Sequence, residues 1–116
     1  MISKANRFHG HNSLSTVYRK GQTVSLSQVS LKCLNIRPDK PHRLAIVVSR
    51  KVDKSAVTRN RIRRRIYEVM RSKYPSLKQN VDIVISVHNK QLATMPASEL
   101  NELIDQMLIK AALIDP

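Results

Sequence analysis

Apolar residues in this chain recur with two different spacings, and each spacing predicts a different kind of element. From 81 to 88, Val81, Ile83, Ile85 and Val87 alternate with other residues, which places them on one face of a strand. Residues 43–51 hold the run Leu44-Ala45-Ile46-Val47-Val48, a short apolar strand of the buried type. Residues 24–35 alternate more loosely, with Val29, Leu31 and Cys33 on one side. Helical spacing appears in three places. Ile62, Ile66, Val69 and Met70 fall in one narrow sector at 100° per residue, predicting a helix over 57–73 that Tyr74-Pro75 terminates. Leu100, Leu103, Ile104, Met107, Leu108 and Ala111 mark an amphipathic last helix, with Thr94 as its expected N-cap and Pro96 in its first turn. Leu14, Val17 and Tyr18 predict a short helix over 13–20, capped by Asn12 and stopped by Gly21.

The segments between these elements are brief. Arg37-Pro38-Asp39-Lys40-Pro41 reads as a turn, residues 53–57 as a connector and residues 1–11 as an extended basic arm. The whole chain, 1–116, is therefore expected to form one domain. Its element order is helix, two or three strands, helix, strand, helix. This predicts an α+β fold with helices packed on a sheet.

Charge changes the picture. Twenty-one Lys and Arg oppose eight Asp and Glu, for a net +13. The excess is localised: residues 43–73 carry eleven basic groups and two acids, whereas residues 81–116 carry two and five. Such a field calls for a polyanion, and nucleic acid is the commonest. The densest part is the predicted central helix, where five arginines stand between Arg59 and Arg65 and no acid follows until Glu68. Like charges three and four residues apart repel by a few tenths of a kcal/mol per pair, so the run costs stability unless a ligand neutralises it. Arginine's planar fork grips phosphate with two bonds and stacks on bases, which a lysine cannot do. A merely solvated face would mix Lys with Glu.

Other chemistry is weak. Cys33 is the single cysteine, so no intrachain disulfide or cysteine metal cage is possible, in keeping with a cytoplasmic setting. His9 and His11 lack a nearby carboxylate or thiol and read as arm residues. No paired carboxylates, phosphate-cradling glycine loop or metal motif stands out, and no metal site is predicted in the chain. No apolar run is long enough to cross a membrane, and residues 1–10 lack the apolar segment of a secretory signal.

The stretch Ser49-Arg50-Lys51-Val52-Asp53-Lys54-Ser55-Ala56-Val57-Thr58-Arg59-Asn60-Arg61-Ile62-Arg63-Arg64 resembles the signature of the bacterial ribonuclease P protein family. Asn6-Arg7-Phe8 and Val17-Tyr18-Arg19-Lys20-Gly21 are similar to its N-terminal part. The resemblance implies a four-stranded mixed sheet with three helices, in the order α-β-β-β-α-β-α. It also implies a left-handed crossover between the strands flanking the arginine helix, against the usual right-handed rule. It further implies that the chain is a subunit of a ribonucleoprotein that cleaves precursor tRNA, with hydrolysis driven by Mg2+ held mainly by RNA. By position, Arg59, Asn60, Arg61, Arg63 and Arg64, with Arg65 of the same run, would contact the catalytic RNA. Leu14, Tyr18, Arg50 and Lys51 would contact the single-stranded 5′ leader of precursor tRNA. Leu14 stands where the family usually has an aromatic, leaving Tyr18 to stack, so leader grip is expected to lean on charge and apolar contact.

Two other readings share the charge logic: a ribosomal-type structural RNA-binding protein, and a DNA-binding protein with the arginine helix in a major groove. The second is disfavoured because consecutive arginines hold phosphates but discriminate bases poorly.

Overall fold

The computed structural model describes residue 17 and residues 21–35, 42–78 and 81–116. Strands β1 (Gln22–Ser25), β2 (Val29–Asn35) and β3 (Arg43–Val48) precede helix α1 (Ala56–Lys73). Strand β4 (Val81–Val87) and helix α2 (Ala97–Lys110) follow, with short 3-10 turns at Tyr74–Ser76 and Lys90–Ala93. The architecture is α+β: one four-stranded mixed sheet and, among the described residues, two α-helices where three were expected. The expected N-terminal helix falls outside the described residues except for Val17, which is helical.

Strand order is β1-β2-β4-β3. β1 pairs antiparallel with β2, β2 antiparallel with β4, and β3 parallel with β4. A parallel pair needs a crossover connection, and α1 lies within it. The stretch 24–35, read as one loosely alternating segment, is in fact parts of two strands. It breaks at Leu26-Ser27-Gln28, where Leu26 N–H donates to the Val29 carbonyl at 2.8 Å.

One face of the sheet carries the main core. Val24, Val29, Leu31, Cys33, Leu44, Ile46, Val48, Val81, Ile83, Ile85 and Val87 pack there against Ile62, Ile66 and Met70 of α1 and Leu100, Ile104, Met107 and Leu108 of α2. Burying each such aliphatic side chain contributes roughly 1.5–3 kcal/mol. β4 is covered on both faces, because Val84 joins Val17, Ala45 and Leu34 in a second, smaller cluster on the opposite side. There Gly21 is required by close approach: a Cβ would sit 2.5 Å from the Val17 carbonyl oxygen and 2.9 Å from that of Cys33. On that face Arg43 and its register partner Asp82 form a two-pronged ion pair, with Nε on Oδ1 at 2.8 Å and Nη2 on Oδ2 at 2.6 Å. The carboxylate raises the Arg43 pKa through that hydrogen bond, against the opposing effect of burial.

Helix ends follow local chemistry, with one difference from expectation. Ser55 caps α1 by accepting from Thr58 N–H at 3.3 Å. Thr94 does not cap α2: it closes the preceding 3-10 turn, and Pro96 occupies the N-cap position. The C-terminus of α2 closes with Ala112 N–H on the Ile109 carbonyl and Leu113 N–H on that of Leu108, both at 2.9 Å. Ala112 takes the left-handed conformation, φ 59°, that this closure demands.

Candidate nucleic-acid interface

The loop between β3 and α1 is shaped by its own polar residues. Val52 N–H bonds the Ser49 carbonyl at 3.1 Å, and Asp53 Oδ1 accepts from Ser55 N–H at 2.8 Å. Arg59 reaches back from the first turn of α1, donating from Nη1 to the carbonyls of Asp53 and Lys54 at 3.0 and 3.1 Å. The result is an open basic concavity of about 560 Å³, lined by Arg50, Lys51, Lys54, Ala56 and Arg59. Lys54, which the sequence did not single out, enters the site because the loop folds back on the helix.

Along α1 the arginines divide by environment. Ile62, Ile66 and Met70 are fully buried against the sheet, which forces Arg61, Arg64, Glu68 and Arg71 outward. Arg61 and Arg64 are exposed and have no hydrogen-bond or ion-pair partner among the described residues. Asn60 is exposed and accepts from Arg63 Nη1 at 3.3 Å, holding both side chains on the same flank. Glu68 and Arg71 are 3.9 Å apart and both largely exposed, a pairing of little energetic weight.

Arg65 differs. Its guanidinium donates to the Leu92 carbonyl at 2.5 Å and to the Met95 carbonyl, tying α1 to the 3-10 turn ahead of α2. Periodicity puts Arg65 beside Val69 on the border of the apolar stripe, yet only the chain's return at 92–95 reveals the partners.

Between α1 and α2 lies a groove of about 540 Å³, walled by Arg61, Arg64, Arg65 and Glu68 and floored by Val69, Ala97 and Leu100. A smaller hollow of about 290 Å³ continues past Arg61 to Lys90, Gln91 and Thr94. Lys90 is thus a second cation that the sequence did not single out. The basic surface runs from Arg50 across the outer face of α1.

The opposite sheet face, with Lys32, Ser30 and the Arg43–Asp82 pair, is partly polar. Ser30 Oγ and His88 Nε2 lie 3.0 Å apart at its edge. Leu14 and Tyr18, expected to contact the 5′ leader, are outside the described residues. Among the described residues no three His, Cys, Asp or Glu side chains converge on a metal-sized site, and no helix is long and apolar enough to cross a membrane.

Comparison with known proteins places the chain in a family. The family model described as Ribonuclease P matches residues 2–112. A ribonuclease P protein component from a Pseudanabaena species is 34% identical over 115 residues, covering 98% of this chain and 97% of the relative. One from a Synechocystis species is 32% identical over 114 residues, covering 98% and 91%. Among solved structures, the Staphylococcus aureus RNase P protein superposes with a TM-score of 0.84 at 25% identity, covering 97% of this chain and 100% of that one. The RNase P protein of Thermotoga maritima, at 21% identity, shares the fold with a TM-score of 0.74, covering 87% of this chain and 94% of that one.

Proposed function

Since this chain belongs to the ribonuclease P protein family, the protein component of a tRNA-processing ribonucleoprotein endonuclease, we propose that α1 clamps the catalytic RNA while the β3–α1 loop contacts the precursor tRNA. The observation that carries this reading is the pair Arg61 and Arg64, exposed and without a partner among the described residues, on a helix firmly seated by Ile62, Ile66 and Met70. Rigid seating matters because a preformed row of guanidinium groups meets an RNA backbone with little ordering cost. Asn60, Arg63 and Arg59 extend the row. Arg65 belongs to it chiefly by holding α1 in place, with its charge adding to the field.

Arg50, Lys51 and Lys54 sit at the end of this row, where a single-stranded 5′ leader would pass from the RNA-bound helix toward the sheet face. Leu14 and Tyr18 are proposed to line the same path. The chain's own groups then bind and orient RNA. Bond cleavage is assigned to the RNA, whose bound Mg2+ would activate the attacking water and steady the leaving oxygen. The domain is proposed to act as one unit across residues 1–116.

Reconstitution tests the reading. Adding this protein to a bacterial ribonuclease P RNA at low magnesium should stimulate 5′ maturation of a precursor tRNA. Absence of stimulation, with the folded protein present in excess over the RNA, would overturn it.

A further inference from the structure

Where the sheet ends beside the β3–α1 loop, the topology gathers residues from three segments. β3 and β4 run parallel with Val48 opposite Val87, so Ser49 and His88 leave the pair at the same end, and Arg50 and Lys51 follow at once. The turn between β1 and β2 reaches this end too, because His88 N–H donates to the Gln28 carbonyl at 2.9 Å. Val81, Ile83, Ile85 and Val87 face the main core, so alternation turns His88 to the other face. There its Nε2 and Ser30 Oγ are hydrogen-bonded at 3.0 Å, which pins one edge of the imidazole to β2. His88 is exposed, whereas the other aromatic and imidazole rings among the described residues, those of His42, Tyr67 and Tyr74, are half-buried. Val47 stands opposite Ser86 in register, turned away from the main core like His88, and is 37% exposed.

We propose that His88 stacks on one unpaired base of the 5′ leader of precursor tRNA, just past Arg50 and Lys51 and with Val47 as an apolar neighbour. The inference deepens the leader path proposed above and rests on it. A single strand leaves its bases open to stacking, and histidine is one of the rings that serve as a platform. Phosphate contacts to Arg50 and Lys51 would set the position of the strand, and the ring would then meet a base. No acid stands at residues 47–51 or 86–88 to repel that backbone. A ring already held by Ser30 loses little rotamer freedom when a base covers it. An acidic peptide would satisfy the two cations but leave the pinned ring without a planar partner. The side of the sheet favours the leader over the catalytic RNA: α1 and its arginines cover the core face, whereas His88 lies on the opposite one.

The test measures the affinities of precursor and mature tRNA for the holoenzyme reconstituted from the full chain and a bacterial ribonuclease P RNA. Mature tRNA has no leader, so the ratio of the two affinities isolates leader contacts. His88→Ala should lower that ratio about tenfold, within the range for one base stacked on a ring. His88→Phe keeps a ring and should return the ratio to within about threefold of the parent. Precursors with one abasic leader nucleotide at a time then locate the base. At one position the parent should bind about tenfold more weakly, while His88→Ala should lose less than about twofold further, because its stacking partner is already gone. A ratio unchanged in His88→Ala, whether both affinities hold or both fall, overturns the inference. So does an absence of recovery in His88→Phe, or abasic losses that are equal in both proteins at every position. Lys51→Ala is the reference for the leader path and should also lower the ratio. If it does so and His88→Ala does not, the stacking alone falls; if neither does, the leader path falls with it.

Discussion

Replacing Arg65 with alanine separates what holds α1 in place from what α1 holds. The guanidinium makes two hydrogen bonds to backbone carbonyls, those of Leu92 and Met95, on the segment that leads into α2. Hydrogen bonds to a charged group contribute about 1.5–3 kcal/mol each when buried. Arg65 is half-buried, so the lower end applies, and losing both bonds should cost roughly 2–3 kcal/mol. With a urea m-value of about 1–3 kcal/mol/M, the unfolding midpoint should fall by roughly 0.7–3 M. Arg65→Lys keeps a cation but reaches one carbonyl at a time, so about half the loss should return. Circular dichroism during urea titration measures the midpoints, and RNA titration of the folded variants measures affinity. A midpoint unchanged in Arg65→Ala, together with an RNA affinity as weak as that of Arg61→Ala, would refute the anchoring role.

Further expectations concern other side chains. Arg61→Ala and Arg64→Ala should unfold within about 0.5 kcal/mol of the parent, because neither side chain has an internal partner among the described residues. Their RNA affinity should drop, and the slope of log affinity against log salt should shrink by about 0.7–0.9 for each phosphate left without its arginine, which titration at several salt concentrations reads directly. Ala112→Gly should stabilise the fold by about 0.5–1 kcal/mol, the left-handed Cβ penalty less glycine's extra chain entropy, visible as a melting temperature a few degrees higher. Burial lowers the His42 pKa from its ordinary 6.5, so the unfolded chain binds its proton first. Stability should therefore decline as pH falls below about 6.5 until folded His42 itself protonates, and His42→Gln should flatten that part of a pH series of unfolding midpoints.

The chemistry of α1 was legible in the sequence because it is local. Four apolar residues at helical spacing and five arginines within one short run need no knowledge of distant residues. The central strand was legible in part: alternation at Val81, Ile83, Ile85 and Val87 marked its core face. The burial of Val84 depends on Val17 and Ala45 meeting it from elsewhere in the chain. The same holds for the Arg43–Asp82 pair, set by parallel register across 39 residues. Thr94 misled because a hydroxyl before a proline resembles a helix cap, yet Asn89 opens a separate 3-10 turn that Thr94 closes. Arg65 looked like its neighbours because sequence position records charge but not whether a carbonyl waits beside it.

Placing the last strand between two earlier ones has a consequence for synthesis. β2 and β3 are both complete by residue 48, yet they cannot join into one sheet until β4 has left the ribosome to lie between them. By then the whole arginine helix has emerged, without the finished sheet that seats it. A nascent chain that has emerged only as far as residue 80 would present that cationic segment unsupported, beside the most abundant RNA in the cell.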